Sequence, residues 1–233
     1  MNPKHDKVHH TFVLLLASLA GCIDAISFVN AGVFPANMTG NSVVLAISVV
    51  NHAAASQRET HAFLIILGFC FGSAIAALLI RSQRMVWSRS VNLVFVIAGC
   101  ALLGAGVAMG NGKIIYSSGI LLALAAAMGM QASALLHLNF PGAGTSTAVT
   151  GTLATGVTRA VQHLWGIMVP GFVTDQPSPW FPLMVFSVYF IGALAGGVQR
   201  GFHASVATMV CGGLLALVGL AEEFRTSRNQ SRC

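Results

Sequence analysis

Asp24 lies inside a long apolar run, Thr11 to Val29, where a carboxylate finds little water to solvate it. A charge at the centre of a bilayer costs about 2.5 to 3.5 kcal/mol on insertion scales, so a carboxylate kept there has a partner or a task. Asn30, Asn37 and Asn41 follow closely. With Asp24 they could line a wet cavity that binds a cation, a proton or the polar part of a small substrate. The competing account places Asp24 near an interface.

Two Thr-Gly pairs extend this polar set. Met38-Thr39-Gly40-Asn41 and Val149-Thr150-Gly151-Thr152 stand at or near the start of two polar-dotted apolar stretches, Asn37 to Val50 and Ala148 to Val169. Gly40 and Gly151 permit backbone conformations closed to other residues and allow close approach, while Thr39, Asn41, Thr150, Thr152 and Thr155 offer hydroxyls and an amide. Helix starts with free N–H groups also favour anionic ligands. The structural alternative is that Thr39 and Thr150 only cap two helices and let them pack closely.

His52 and His163 come about three turns after their Thr-Gly pairs, where they act as interfacial anchors or, less simply, as a proton relay. Arg159 is either a counter-ion for an anionic substrate or a side chain that snorkels to water. Gln131 and His137 lie in and just after a later apolar run.

Catalytic chemistry has little to stand on. The chain holds no HExxH, Gly-x-Ser-x-Gly or phosphate loop, and its 6 acidic residues give no carboxylate pair within one apolar run. Cys22, Cys70, Cys100 and Cys211 fall in apolar segments without metal-like spacing and are expected to pack as small hydrophobes. No catalytic residue, metal or cofactor is expected, and the chain is not expected to be an enzyme.

The elements that must position these residues follow from composition. Hydrophobic residues make up 55% of the 233 and charged residues only 8%, against roughly 25% charged in an ordinary soluble domain. The net charge of +6 comes from Lys and Arg at the ends of apolar runs, not from a basic face, so nucleic acid is not a partner. A spanning helix needs about 20 apolar residues. Six stretches qualify: Thr11 to Val29, His61 to Ile80, Val91 to Met109, Ile114 to Leu136, Phe181 to Gln199 and Phe202 to Leu220. Leu19-Ala20-Gly21-Cys22 has the form of a lipoprotein cleavage box, but the residues after Cys22 stay apolar, which favours a first membrane helix.

At about 21 Å, Asn37 to Val50 is too short to cross a hydrocarbon core about 30 Å thick. Ala148 to Val169 is nearly long enough. The positive-inside rule puts Arg81, Arg84 and Arg89 on the same side as Lys4 and Lys7. Two crossings between them satisfy that and three do not. Both termini and Arg225, Arg228 and Arg232 are then cytoplasmic, Arg159 falls in a long cytoplasmic connection, and Arg58, Lys113 and Arg200 lie outside.

The polar elements recur. Met38-Thr39-Gly40-Asn41 matches Val149-Thr150-Gly151-Thr152 at an offset of 111 residues, and Asn51-His52 matches Gln162-His163 at the same offset. Gly21 pairs with Gly129, and Gly72-Ser73-Ala74 with Gly192-Ala193-Leu194. An odd number of spans per repeat inverts the second half relative to the first, as in many transporters and channels. The expected fold is therefore all-α: a polytopic membrane helix bundle of six spanning helices plus two short Thr-Gly half-helices in an inverted 3+3 repeat. Residues 1–233 form one membrane domain, with repeats at about 11–110 and 114–221 and a cytoplasmic tail at 222–233. Phe34-Pro35-Ala36-Asn37 breaks the chain before the first half-helix, and its freed backbone groups need partners in protein or cavity water. Gly68-x-x-x-Gly72 and Gly192-x-x-x-Gly196 permit close helix crossing within the bundle or in a homo-oligomer.

Ala20-Gly21-Cys22-Ile23-Asp24-Ala25 followed by Phe34-Pro35-Ala36-Asn37-Met38-Thr39-Gly40-Asn41 resembles the signature of the YoaK-like family of bacterial membrane proteins. Gly129-Met130-Gln131 and Thr147-Ala148-Val149-Thr150-Gly151-Thr152-Leu153 resemble its second signature. The resemblance implies a bacterial inner-membrane location and no established activity. One departure is Ala132, where such proteins often carry an Asn that would mirror Asp24.

The function expected from these features is a small transporter or channel for an unnamed small molecule or ion. Its path is lined by Asp24, Asn37, Thr39, Gly40, Asn41, Gln131, Thr147, Thr150, Gly151, Thr152 and Thr155, with His52, His163 or Arg159 in gating or in proton or anion handling. The alternative is a non-transporting sensor or scaffold that acts through its helical faces.

Overall fold

The computed structural model describes residues 3–51, 57–80, 87–111, 117–138, 149–168 and 180–230. His52, Thr147, Arg81, Arg84, Lys113 and Arg232 lie outside the described residues. Every described element is a helix: α1 (Pro3–Ala31), α2 (Met38–Asn51), α3 (Gln57–Leu79), α4 (Arg89–Asn111), α5 (Ser118–Leu138), α6 (Val149–Met168), α7 (Trp180–Gly197) and α8 (Phe202–Gln230). Six of them, α1, α3, α4, α5, α7 and α8, are long and apolar enough to cross a membrane, and they coincide with the six expected spans.

Lipid as solvent explains the distribution of side chains. Phe71, Leu78, Phe190 and Val198 are exposed at the surface of the bundle, which would be costly in water and is favourable against acyl chains. The interior is built from Leu, Ile and Ala of α1, α4 and α5, with Phe95 and Leu16 among the largest fully buried side chains.

Glycines set how closely the helices cross. A Cβ added at Gly192 would collide with the Ser18 carbonyl, one at Gly196 with the Cys22 carbonyl, and one at Gly21 with the Tyr189 carbonyl. This crossing joins α1 to α7. The same construction joins α3 to α5, where Gly72 faces the Ala126 carbonyl, Gly129 the Phe69 carbonyl and Gly68 the Leu122 carbonyl. Both GxxxG faces are thus packed inside the bundle. The third close pair is α4 with α8, where Gly99 meets the backbone of Gly212 and Ala216, and Gly106 that of Ser205 and Met209. Absence of a Cβ lets backbones approach and lets dispersion contacts accumulate where no hydrophobic force separates helix from lipid.

The contacts also fix helix directions. The His10 ring lies tilted against Phe181 at 4.3 Å between ring centroids, and Asn30 donates to the Gln199 carbonyl at 3.2 Å, so α1 and α7 run parallel. Pairing of Gly68 with Leu122 and of Ser73 with the Gly129 carbonyl, at 3.2 Å, makes α3 and α5 parallel. Arg58 Nε donates to the Gly32 carbonyl at 3.0 Å. That bond, with Gln131 of α5 reaching Leu16, sets α3 and α5 antiparallel to α1. Asn92 Nδ2 reaches Glu223 at 3.0 Å, and Gly106 meets Ser205, so α4 and α8 are antiparallel.

The Thr-Gly helices differ in length. α2 has 14 residues and α6 has 20, so α6 is about 30 Å long, as long as a span, where a short element was expected. Thr, Arg, Gln and His dilute its apolar character without shortening it, because these residues still accept helical geometry. Val157, Val161 and Leu164 form an exposed apolar stripe, while Thr152 and Gly156 are buried.

Candidate functional site

The site grows out of the break after α1. Gly32, at φ 74°, ends the helix in the left-handed conformation that glycine adopts without strain, and its amide donates to the Phe28 carbonyl at 2.9 Å. The chain then folds back along α1, because the Ala36 amide donates to Asp24 Oδ1 at 2.6 Å. Asn37 caps α2, its Oδ1 accepting from the Gly40 amide at 3.3 Å. Asn41 closes the loop with two bonds, accepting from the Phe34 amide at 3.0 Å and donating from Nδ2 to the Phe34 carbonyl at 2.5 Å. The broken backbone therefore finds its partners in side chains, as a break shielded from water requires.

Asp24 is only 2% exposed. Its second oxygen, Oδ2, accepts from the Tyr189 hydroxyl of α7 at 2.8 Å. One carboxylate thus ties three elements together: α1, the restart of the chain before α2, and α7. No ion pair with a cationic side chain balances it among the described residues.

The structure brings Asp24, Asn37 and Asn41 into one cluster. Gly40 sits against the Phe34 ring, whereas Thr39 is exposed. Gln131 is fully buried about two turns deeper along α1, with Nε2 donating to the Leu16 carbonyl at 2.9 Å and Oε1 unpartnered among the described residues. The second Thr-Gly element lies elsewhere: α2 packs on α3 and α6 on α7, with no comparable packing of α2 on α6. On α6, Thr150 and Gly151 are exposed, Thr152 is buried, Thr155 Oγ1 donates to the Gly151 carbonyl at 2.8 Å, Arg159 is half-buried and His163 is exposed. The two Thr-Gly starts do not meet.

Sequence reasoning missed Tyr189 and Ser27. Tyr189 is one of 2 tyrosines in the chain and lies within an apolar span, which is the available signal, since a buried phenol needs a hydrogen-bond partner. Ser27 is fully buried, three residues after Asp24, and its Oγ has no partner among the described residues. A serine in a membrane helix looks like packing glue, so its sequence gave no such warning.

A glycine-crossed bundle of six lipid-facing spans with a polar break beside a buried carboxylate defines a polytopic α-helical membrane protein. Residues 12–221 match the family described as "Protein of unknown function (DUF1275)", and the chain belongs to that family. It is similar to the UPF0700 transmembrane protein YoaK of Bacillus subtilis (strain 168), with 29% identity over 147 residues, 62% of this chain and 64% of that protein. The similarity thus spans just under two thirds of the relative's length. No solved structure matches significantly.

Proposed function

We propose that the protein moves a small molecule or ion across the bacterial inner membrane, with Asp24 as the central group of its path. The observation that carries this reading is the Asp24 carboxylate: buried within a helix long and apolar enough to span, unbalanced by a cationic side chain among the described residues, and bonded at once to the Ala36 amide and the Tyr189 hydroxyl. A group that links a helix break to a second helix can sense which face of the membrane is open.

Helix directions support an inverted repeat. α1 and α7 cross as α5 and α3 do, with Gly21 and Gly192 in one crossing taking the positions of Gly129 and Gly72 in the other. Since α5 and α7 run in opposite senses, the connection between them, α6 included, returns to the face it left, which supports α6 as a non-crossing element. Six crossings would put both termini on one side, and the Lys and Arg distribution supports the cytoplasm as that side. Rocking of one repeat against the other would alternate access. Because α2 and α6 are apart, the path centres on the Asp24 break.

The test is flux in proteoliposomes carrying an internal pH-sensitive dye, challenged with proton, Na⁺ and K⁺ gradients and a panel of small polar solutes. Asp24→Asn is expected to reduce flux at least about tenfold at equal protein yield, a loss of 1.4 kcal/mol or more. Equal flux in the variant, or no flux under any gradient, overturns the reading.

A further inference from the structure

The two glycine crossings provide an internal control on the Asp24–Tyr189 pair. Aligning Gly21 with Gly129 places Ala132 at the position of Asp24, and aligning Gly192 with Gly72 places Phe69 at the position of Tyr189. The second crossing therefore lacks carboxylate and phenol together, yet its backbones approach as closely. Packing does not require the pair. Its presence on one side only calls for a different explanation.

Ser27 supplies an independent observation. Elsewhere in the helices, Ser42, Ser48, Thr155, Ser187 and Thr208 each donate to the carbonyl four residues earlier at 2.8 to 2.9 Å. Ser27, with none of its surface exposed, makes no such bond, and its Oγ has no partner among the described residues. Three residues apart on one helix, Ser27 and Asp24 share a face. An unsatisfied buried hydroxyl is unfavourable by about 1 to 3 kcal/mol and calls for an explanation, of which a bound ion is one.

We propose that Asp24, Tyr189 and Ser27 form the site for one monovalent cation, a proton or an alkali ion. The available groups are all oxygens, which suit hard cations. A single carboxylate neutralises a single charge, whereas a divalent ion would leave a net positive charge inside the bilayer. Occupancy also has a mechanical outcome. Hydrogen bonds to an ionised carboxylate are roughly twice as strong as neutral ones, so neutralising Asp24 weakens its hold on the Ala36 amide and the Tyr189 hydroxyl and lets the break and α7 part from α1. As a coupling ion, this cation rests on the transport reading; as a bound ligand, it can be tested without flux.

The experiment is thermal unfolding of the full chain in nanodiscs, titrated with NaCl or KCl against choline chloride at constant ionic strength, and separately with pH. A ligand of the native state raises the apparent melting temperature by mass action, by about 5 °C or more at a hundredfold excess over its Kd. Alkali-dependent stabilisation assigns an alkali ion; a response to pH alone, removed in Asp24→Asn, assigns a proton. Tyr189→Phe, which restores the phenyl ring found at Phe69, should fold and should weaken the apparent affinity about tenfold. No dependence on any of these cations in the wild-type protein, or a dependence unchanged in both variants, overturns the proposal. Binding without flux would remove transport and leave the site; cation-dependent stability unchanged in Asp24→Asn beside flux lost in that variant would remove the site and leave transport.

Discussion

The Tyr189 hydroxyl donates to Asp24 Oδ2 across 2.8 Å, joining the fifth spanning helix to the first. At the matching crossing of α3 and α5, the corresponding residues are Phe69 and Ala132. Placing a carboxylate at the second crossing, by Ala132→Asp, should strongly destabilise the fold. Ala132 is 3% exposed, and the aligned Phe69 ring carries no hydroxyl to donate. Loss of folded protein in a detergent-resistance or size-exclusion assay is the expected outcome; wild-type recovery would contradict the matched crossings.

Asn41 and Thr39 sit two residues apart and should behave oppositely. Asn41→Ala removes both side-chain bonds to the Phe34 amide and carbonyl, leaving part-buried backbone groups unpaired, which is expected to lower stability by about 1 to 3 kcal/mol. Thr39 is exposed, and Thr39→Val should change stability by less than about 0.5 kcal/mol. Thermal unfolding of the two purified variants compares them directly.

Glycines divide by what surrounds them. Gly192→Ala would drive a methyl group into the Ser18 carbonyl, so the α1–α7 crossing must open and folded yield should collapse. Gly151 has nothing within 4 Å of its added Cβ, and Gly151→Ala should be neutral or stabilising by up to about 0.5 kcal/mol. A loss of flux without a loss of stability in Gly151→Ala would instead restore a role for the second Thr-Gly pair in the path.

Topology can be read on either side of α6. Reporter fusions placed just after Leu138 and just before Trp180 should report the same face, the cytoplasmic one, while a fusion after Asn111 reports the opposite face. Opposite signals on the two sides of α6 would make that helix a crossing and would conflict with parallel α1 and α7.

The six spans were legible because hydrophobic length is a local property of the sequence, set by the thickness of the bilayer. Asp24, Asn37 and Asn41 were legible as a group because the chain between them is short and contains Pro35. Tyr189 was not, because its bond to Asp24 spans 165 residues and depends on which helix α7 crosses. The GxxxG motifs announced close contact without naming a partner, since glycine records the approach of a backbone and carries no side chain to identify it. The extent of α6 was legible from the stretch Ala148 to Val169, whereas whether it crosses was not, because Thr, Arg, Gln and His dilute its apolar character without breaking the helix.

The pairing of α1 with α7, α3 with α5 and α4 with α8 bears on how the chain is made. Each close crossing joins a helix from the first half to one from the second, so the helices α1 to α4 leave the ribosome with none of their glycine-mediated partners yet synthesised. Until α5, α7 and α8 arrive in turn, the bilayer and the looser contacts of α2 with α3 and of Arg58 with Gly32 must hold this first half. Insertion and assembly are thereby separated in time, and the two halves, translated as separate polypeptides in one cell, contain all the complementary surfaces needed to find each other.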